Sequence, residues 1–514
     1  MKRAIVSVSD KTGVVDFCRG LVELGFEVVS TGGTSRSLRE AGVAVTDVSQ
    51  VTGFPECLDG RVKTLHPKVL AGVLARGNDE DRHTLKELQI DYVDLVAVNL
   101  YPFQATIARP GVTEAEAIEN IDIGGPTMIR AAAKNADRVA VVVDPADYAG
   151  VLDEFRTNGA TSAATRRRLM IKVFAMTGTY DTAVASHFSG ASEVNGLPSV
   201  MFLGGTKAQD LRYGENPHQR AAVYLPAGGA SGILGAMQRQ GKALSYNNLV
   251  DMEAAWQLVR EFDGPAVAII KHTNPSGAGT DTTSLAAAYE KALATDPVSA
   301  FGGIVALNGE VDEALATRMC EHFYEVVLAP SMTPGAMAVF AAKKNLRVME
   351  LGDTFFEPFP PLVAKHVSGG LLVQESDPRA DEVRGGKIVT QRAPTDEEWS
   401  ALDMAWRVCK HVKSNAIVFA RADRTSAVGA GQMSRVDSAR LAAIKALDRK
   451  VELQGTSVGS DAFFPFPDGL EEVAKAGATA VAQPGGSVRD AEVIAAANRL
   501  GIAMVFTGRR HFRH

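Results

Sequence analysis

Short apolar runs alternate with amphipathic stretches from the first residues onward. Ala4-Ile5-Val6-Ser7-Val8-Ser9 precedes VVDFCRGLVELG from Val14, FEVVS from Phe26, SRSLREAG from Ser35 and VAVTDV from Val43. A period near two in one segment and near 3.6 in the next predicts strands and helices in turn, the mark of a parallel sheet built from βαβ units. DLVAVNL from Asp94 and RVAVVVD from Arg138 continue it, Val-rich as central strands are. A helical pattern from about residue 160 to 187 ends at the turn-rich NGLPS, Asn195 to Ser199. The expected domains are therefore 1–197 and 198–514.

The second stretch repeats one theme: an apolar run, a Gly/Pro/Asn segment, then an Ala-rich helix. AVAII, KHTNPSGAG and TDTTSLAAAYEKALA, from Ala266 to Ala294, are one instance. AIVFA with SAVGAGQMSR, and TAVAQPGGS with VRDAEVIAAANRLG and IAMVFTG, are others. These read as strand–turn–helix units in two related subdomains, with turns at strand C-terminal ends where open α/β sheets hold ligands.

Length and composition narrow the class. At about 150 residues per domain, 514 residues imply several domains. With 46% hydrophobic and 22% charged residues the chain reads as globular, and its net charge of −6 lacks the basic excess of a nucleic-acid binder. Cys18, Cys57, Cys320 and Cys409 are far apart, without C-x-x-C spacing, which argues against a disulfide framework or zinc ribbon and for a reducing cytoplasm. The apolar start stops at Ser7 and Asp10, short of a signal segment, and no run nears the ~18 apolar residues of a membrane span.

Several motifs fail. Gly241-Lys242-Ala243 and Gly386-Lys387-Ile388 lack the Ser/Thr of a P-loop, and the strings from Gly277 and Gly429 lack the third glycine of a dinucleotide fold. Neither H-x-E nor P-C-x-x-C is present, which counts against a zinc deaminase.

What remains gathers at turns. Ser30-Thr31-Gly32-Gly33-Thr34, between a strand and a helix, is either a capped βα turn or a phosphate cradle; Ser9, Lys11 and Thr12 repeat the arrangement after the first strand. Arg61, Lys63 and Thr64 lie in a cationic loop, Tyr101 follows a strand, and Asp122 precedes Gly124, Gly125 and a helix expected to bring Lys134 onto the same sector. Lys271-His272 ends an apolar strand. Either it is a solvated strand end, or the fixed cation disfavours imidazolium and leaves His272 a neutral base.

The strings SVSDKTG, STGGT, RVKTLHP, NLYPF, ENIDIGGPTMIRAAAKN, LRYGENPHQ, KHTNPSGAG, SAFGGIVA, SNAIV, GAGQMSR, SDAFFPF and RRHFRH run in order through the chain. They resemble the bifunctional purine biosynthesis family, which joins 5-aminoimidazole-4-carboxamide ribonucleotide (AICAR) formyltransferase to IMP cyclohydrolase. The resemblance implies a methylglyoxal-synthase-like doubly wound N-terminal domain and a C-terminal pair of cytidine-deaminase-like α/β subdomains without zinc. It implies a cytoplasmic homodimer using 10-formyltetrahydrofolate as formyl donor and no catalytic metal.

Carried over by position, the formyl-transfer base would be His272, helped by Lys271. Arg212, Tyr213, Gly302, Asn415, Arg435, Phe463 and Arg510 would contact AICAR, and Val436, Asp468, Gln483 and Pro484 the folate. Ring closure would use Lys134 as proton donor and acceptor, with Lys63, Tyr101 and Asp122 near the reacting groups. Around the ring-closure substrate, the glycine-rich turns Ser9 to Thr12 and Ser30 to Thr34 would bind with Arg61, Thr64, Gly124 and Gly125. At Ala329-Pro330-Ser331-Met332 no carboxylate stands where some relatives carry an acidic substrate ligand. The rival readings are a non-catalytic nucleotide sensor and a zinc deaminase.

Overall fold

A computed structural model describes residues 1–192, 197–226 and 229–514. Its chain divides into two compact units: Met1–Thr206 with Leu225–Gly228, and Lys207–Tyr224 with Gly229–His514. The expected boundary at 198 lies in NGLPS, whose Asn195 and Gly196 are outside the described residues.

The first unit is built on β1 (Lys2–Val8), β2 (Phe26–Ser30), β3 (Thr46–Asp47), β4 (Leu95–Asn99) and β5 (Ala140–Val142). They pair in parallel in the order β3-β2-β1-β4-β5. Helices cover both faces, so Ala4, Val6, Leu95, Val96 and Ala97 are fully buried, which is why these strands read as continuous apolar runs. VAVTDV yields only the two residues of β3, because Asp47 and Gln50 form a capping box that starts the helix Val48–Thr52. The expected long helix runs Ala163–Ser192. After β1 the chain winds outward through β2 and β3, then returns to β4 on the other side. The sheet's switch point therefore lies between the C-terminal ends of β1 and β4.

The second unit holds a twelve-stranded sheet, β16-β21-β20-β19-β17-β18-β10-β9-β11-β12-β13-β8. Two hairpins stand apart from it, β6 (Thr206–Leu211) with β7 (Ala221–Leu225) and β14 (Leu362–Val367) with β15 (Gly370–Glu375). The leading half of the large sheet comprises β8 (Met237–Gln240), β9 (Ala266–Lys271), β10 (Asn274–Thr280), β11 (Gly303–Leu307), β12 (Tyr324–Ala329) and β13 (Arg347–Glu350). The trailing half comprises β16 (Lys387–Ile388), β17 (Ile417–Arg421), β18 (Arg424–Gly429), β19 (Thr456–Ser460), β20 (Ala478–Gln483) and β21 (Ala503–Phe506).

Each half is a helix, an antiparallel hairpin, a second helix and three mutually parallel strands. The repeat read from sequence is thus a structural one. The halves meet where β10 pairs antiparallel with β18 at Gly279 and Arg424. There the Thr425 hydroxyl accepts the Ala278 N–H (2.9 Å) and donates to its carbonyl (3.2 Å), standing in for ladder bonds.

KHTNPSGAG was expected to be a turn, but Asn274–Thr280 is the central strand β10. Its glycines serve helix packing: a Cβ on Gly277 would lie 1.9 Å from the Ala292 carbonyl oxygen of the helix Leu285–Thr295. Gly429 plays the same part in β18, where a Cβ would lie 1.9 Å from the Ser438 carbonyl oxygen of the helix Arg435–Arg449. Close backbone approach, not phosphate binding, accounts for these Gly-Ala-Gly strings.

A second expectation holds for only half of the sheet. Because β9 runs antiparallel to β11, with Ile270 opposite Ile304, the C-terminal end of β9 adjoins the N-terminal end of β11. Since β10 is antiparallel to β18, the start of β10 also faces the end of β18. One sheet edge therefore carries the Lys271–Asn274 turn and the N-terminal ends of β11 and β12 from the leading half. From the trailing half it carries the C-terminal ends of β18 to β21.

Candidate active site

In the first unit the switch point is organised by Asn99. Its Oδ1 accepts the N–H groups of Ser9 (2.6 Å) and Asp10 (3.0 Å), and its amide donates to the Asp10 carbonyl (2.9 Å), tying the loop after β1 to the end of β4. Asp10 in turn accepts from the backbone and hydroxyl of Thr12. On the other side, the helix Gly32–Glu40 begins at Thr31 with no side-chain cap, so its first N–H groups are left open. Two ammonium groups lie over them: Lys63 Nζ is 3.3 Å from where a Gly32 Cβ would stand, and Lys11 Nζ 3.8 Å from that of Gly33. Open helix N–H groups under two cations make an anion cradle.

Lys63 comes from a loop with Leu58, Asp59 and Gly60 all at positive φ, and it pairs with Glu56 (2.9 Å). Arg61 on the same loop pairs with Glu119 at the surface. The buried Thr64 reaches Gly124, whose absent Cβ would lie 3.2 Å from the Thr64 hydroxyl. Asp122 accepts the N–H groups of Gly125 (2.8 Å) and Tyr101 (3.3 Å), while its own N–H donates to the Tyr180 hydroxyl (2.7 Å). Burial raises the Asp122 carboxyl above its ordinary range despite those two donors. Tyr101 itself is half exposed, at the mouth of this cluster.

Three expected residues behave differently. The Ser30 hydroxyl is spent on the Val6 carbonyl (2.7 Å) and that of Thr34 on the backbone of Val8, so both latch β1 to its neighbours and only their backbone is free to meet a ligand. Among the described residues Lys134, exposed at the end of its helix, makes no hydrogen bond or ion pair with the cluster. It ends the helix Gly124–Lys134, and at about 1.5 Å per residue its backbone lies roughly 15 Å along the axis from Gly124. Sequence reasoning also missed Asn99 as an organiser and Tyr180, whose only signal was a polar tip on a helix thirty residues long.

In the second unit Lys271 and His272 open a two-residue hairpin turn, not a plain strand end. His272 and Thr273 have φ of 50° and 61°, the left-handed pair of a type I′ turn. The imidazole is solvent-facing, and Lys271 Nζ donates to the Phe301 carbonyl (2.8 Å) beside Gly302, itself at φ 69°. Asn274 closes the turn, donating to the His272 carbonyl (3.2 Å) and accepting the Lys413 N–H (2.9 Å) from the segment that carries Asn415. Lys271, His272, Gly302 and the 413–415 segment are thus linked.

Arg435 was expected at the substrate. Instead it is buried against the fully buried Asp461, also donating to Ser460 Oγ (2.9 Å) and Asn415 Oδ1 (2.9 Å). It positions Asn415. Asp461 further accepts from the Ser414 hydroxyl, which in turn accepts the Arg513 N–H (3.1 Å), while the Ser414 N–H donates to the Arg513 carbonyl (3.0 Å), so the segment bearing Arg510 is tied to the same ion pair. Arg510 is exposed over the Phe512 ring.

Gln483 is likewise internal. Its carbonyl holds the Phe464 N–H (2.8 Å) and its amide points at Met504 Sδ, so it shapes the loop containing the half-buried Phe463. Gly469, next to the exposed Asp468, lies against the Phe464 ring and near the Val436 backbone nitrogen, and Pro484 is buried. Arg212 and Tyr213 pack together by cation–π contact near Arg347 and Glu325. Among the described residues no group of three or more His, Cys, Asp or Glu side chains could hold a metal ion.

Behind the 413–415 segment is a buried polar knot. His411 Nε2 faces Glu261 (2.9 Å) and its Nδ1 faces the Arg513 guanidinium (3.1 Å). Burial pushes His411 down to about 4 although Glu261 pulls the other way. With Arg513 donating to Nδ1, the neutral ring carries its proton on Nε2.

Comparison with known proteins finds two family models in succession along the chain. The MGS-like domain model matches residues 13–127, and the AICARFT/IMPCHase bienzyme model matches residues 132–445. A protein of Desulfitobacterium hafniense called bifunctional purine biosynthesis protein PurH is 54% identical, with 100% of each chain covered. One of the same name from Sorangium cellulosum is 55% identical, again with 100% of each covered. The crystal structure of ForH is 38% identical, covering 36% of this chain and 98% of that one with a TM-score of 0.34. Matched over more than half its length by the family model and end to end by these relatives, the chain belongs to the AICARFT/IMPCHase bienzyme family.

Proposed function

We propose that the two activities of this bienzyme divide between the units at about residue 198: the first closes the purine ring and the second transfers the formyl group. Together they are the last two steps to IMP. The observation that carries this is that Lys11, Lys63 and the loop held by Asn99 meet at the switch point of the first sheet, while Lys271, His272, Gly302 and the 413–415 segment are linked in the second unit.

For formyl transfer, the 5-amino group of AICAR is conjugated with its ring and is a weak nucleophile. It attacks the formyl carbon of 10-formyltetrahydrofolate as His272 takes its proton; the N10–formyl bond breaks, and N10 is protonated as tetrahydrofolate leaves. Lys271, fixed on the Phe301 carbonyl, sets a positive charge beside the developing oxyanion. Asn415 and Arg510 are the polar groups offered to AICAR, with Gly302 beside Lys271 and Phe463 as an apolar wall. Arg212 and Tyr213 complete the proposed AICAR contacts. The exposed Asp468 carboxylate suits the N–H donors of a pterin, and Val436 and Pro484 its flat face; Gln483 serves behind them.

For ring closure, the carboxamide nitrogen of formyl-AICAR attacks its own formyl carbon and water is lost. Holding the two groups together removes most of the entropic barrier. Lys11, Lys63, Ser9, Thr12 and the N–H groups from Thr31 to Gly33 hold the phosphate, and Arg61, Thr64, Gly124 and Gly125 line the approach. Asp122, whose carboxyl burial raises, holds a proton more readily than an ordinary aspartate, next to Tyr101. Formyl-AICAR is consumed as it forms, which pulls the first step forward. We further propose a cytoplasmic homodimer. The sensor reading gains nothing from relatives named as biosynthetic enzymes.

The test is a pair of variants in two assays. His272→Ala should lose formyl transfer by about 10³-fold or more, consistent with removal of a general base, and still cyclise supplied formyl-AICAR. Lys63→Ala should do the reverse. Loss of both activities from either folded variant overturns the division.

A further inference from the structure

The turn that carries His272 is costly. A residue with a Cβ is disfavoured in the left-handed region, and a β-branched one such as Thr273 is a marked outlier there. Hairpins of this type ordinarily place Asn-Gly at these two positions. Something must over-determine the conformation. From the helix Tyr246–Val259, packed against β9, the half-buried Asp251 sends Oδ1 to the Thr273 N–H at 2.7 Å. The same carboxylate lies close to His272, so it holds the second left-handed residue directly and stands beside the first. Burial raises its carboxyl, and the Thr273 donor, with His272 and Lys271 close by, favours the anion.

The opposite hairpin shows what lacks this device. Its turn, Arg421 to Arg424, has Ala422 and Asp423 at the corresponding positions, and neither has a positive φ. The left-handed pair and its carboxylate anchor occur together, on the half whose turn bears an imidazole.

We propose that Asp251 is a positioning residue for formyl transfer: it holds the His272–Thr273 turn left-handed and so aims the imidazole, without itself touching substrate. This rests on the reading of His272 as the base. Three variants of the full chain are compared with His272→Ala. Asp251→Ala removes the anchor and should lower kcat for formyl transfer about 100-fold, leaving the KM for AICAR and direct AICAR binding within about threefold and ring closure unchanged. Asp251→Asn keeps an acceptor oxygen and should stay within about fivefold of the parent. Adding Thr273→Gly to Asp251→Ala frees the turn from its strain and should recover at least tenfold.

Unchanged kcat in Asp251→Ala overturns the proposal, as does loss of AICAR binding, which would make Asp251 a scaffold residue. Failure of Thr273→Gly to recover activity overturns it as well. If His272→Ala itself retains formyl transfer, the reading of the base fails instead, and the two failures are told apart.

Discussion

The leading and trailing halves of the large sheet share an element order yet contribute opposite strand ends to one edge. The leading half offers a strained, exposed turn with an imidazole at its tip, the trailing half a set of loops fastened from behind. The difference is clearest one residue past the first of the three parallel strands. After β11 stands Asn308, accepting the Ala266 N–H (2.8 Å) and donating to the Gly264 carbonyl (2.8 Å). After β19 stands Asp461, buried on Arg435. A neutral amide suffices where only backbone is to be held. Where three loops converge, a charge pair fixes more partners, at the risk that either charge is stranded if the other goes.

Breaking that pair should give the largest effect. Arg435→Ala leaves Asp461 buried and unpaired and should cost about 3–5 kcal/mol, against about 1–2 kcal/mol for Asn308→Ala. Denaturant unfolding followed by tryptophan fluorescence reads this out, since Trp256, Trp399 and Trp406 all lie in the second unit. Equal losses would mean that the halves are held alike. Next, Gly277→Ala and Gly429→Ala should each cost about 1–3 kcal/mol by overpacking and match one another. A large disparity would show that the two helix–strand contacts are not equivalent.

The smallest effect is one of pH. His411 is lowered from 6.5 to about 4, so between those values the unfolded chain binds a proton that the folded chain does not. Stability of the second unit should therefore fall as pH drops from 6.5 towards 4, and His411→Gln should flatten the slope of Tm in that window. Glu261, depressed to about 2 chiefly by His411 and Lys410 against its burial, adds a further loss below about 4.5. An unaltered slope in the variant would remove His411 as the cause.

Much of this was legible along the chain, for physical reasons. β1, β2 and β4 are apolar on both faces and read as strands. The Gly-rich turns at their C-terminal ends were recognisable because an anion cradle needs bare backbone. β10 was not, since Pro275, Gly277 and Gly279 look like a turn until the helix pressed against them is in place. Arg435 and Gln483 looked like ligand groups, for sequence shows a polar side chain but not which way it is spent. Lys134 was grouped with Asp122 by proximity in sequence, which leaves out the rise of the helix between them. Asp251 gave no signal, as the hydrogen-bond partner of its carboxylate among the described residues is a backbone N–H, that of Thr273, in a turn more than twenty residues on.

A joint that turns one half upside down against the other also creates a second edge, built of the same parts in the complementary arrangement. That edge carries Ala422-Asp423 where the first carries His272-Thr273. Doubling the scaffold has left it with a second bench fitted for joinery: the Asp423 carbonyl accepts the Thr280 N–H (2.8 Å) and its carboxylate pairs with Lys291 (2.9 Å), fastening one half to the other.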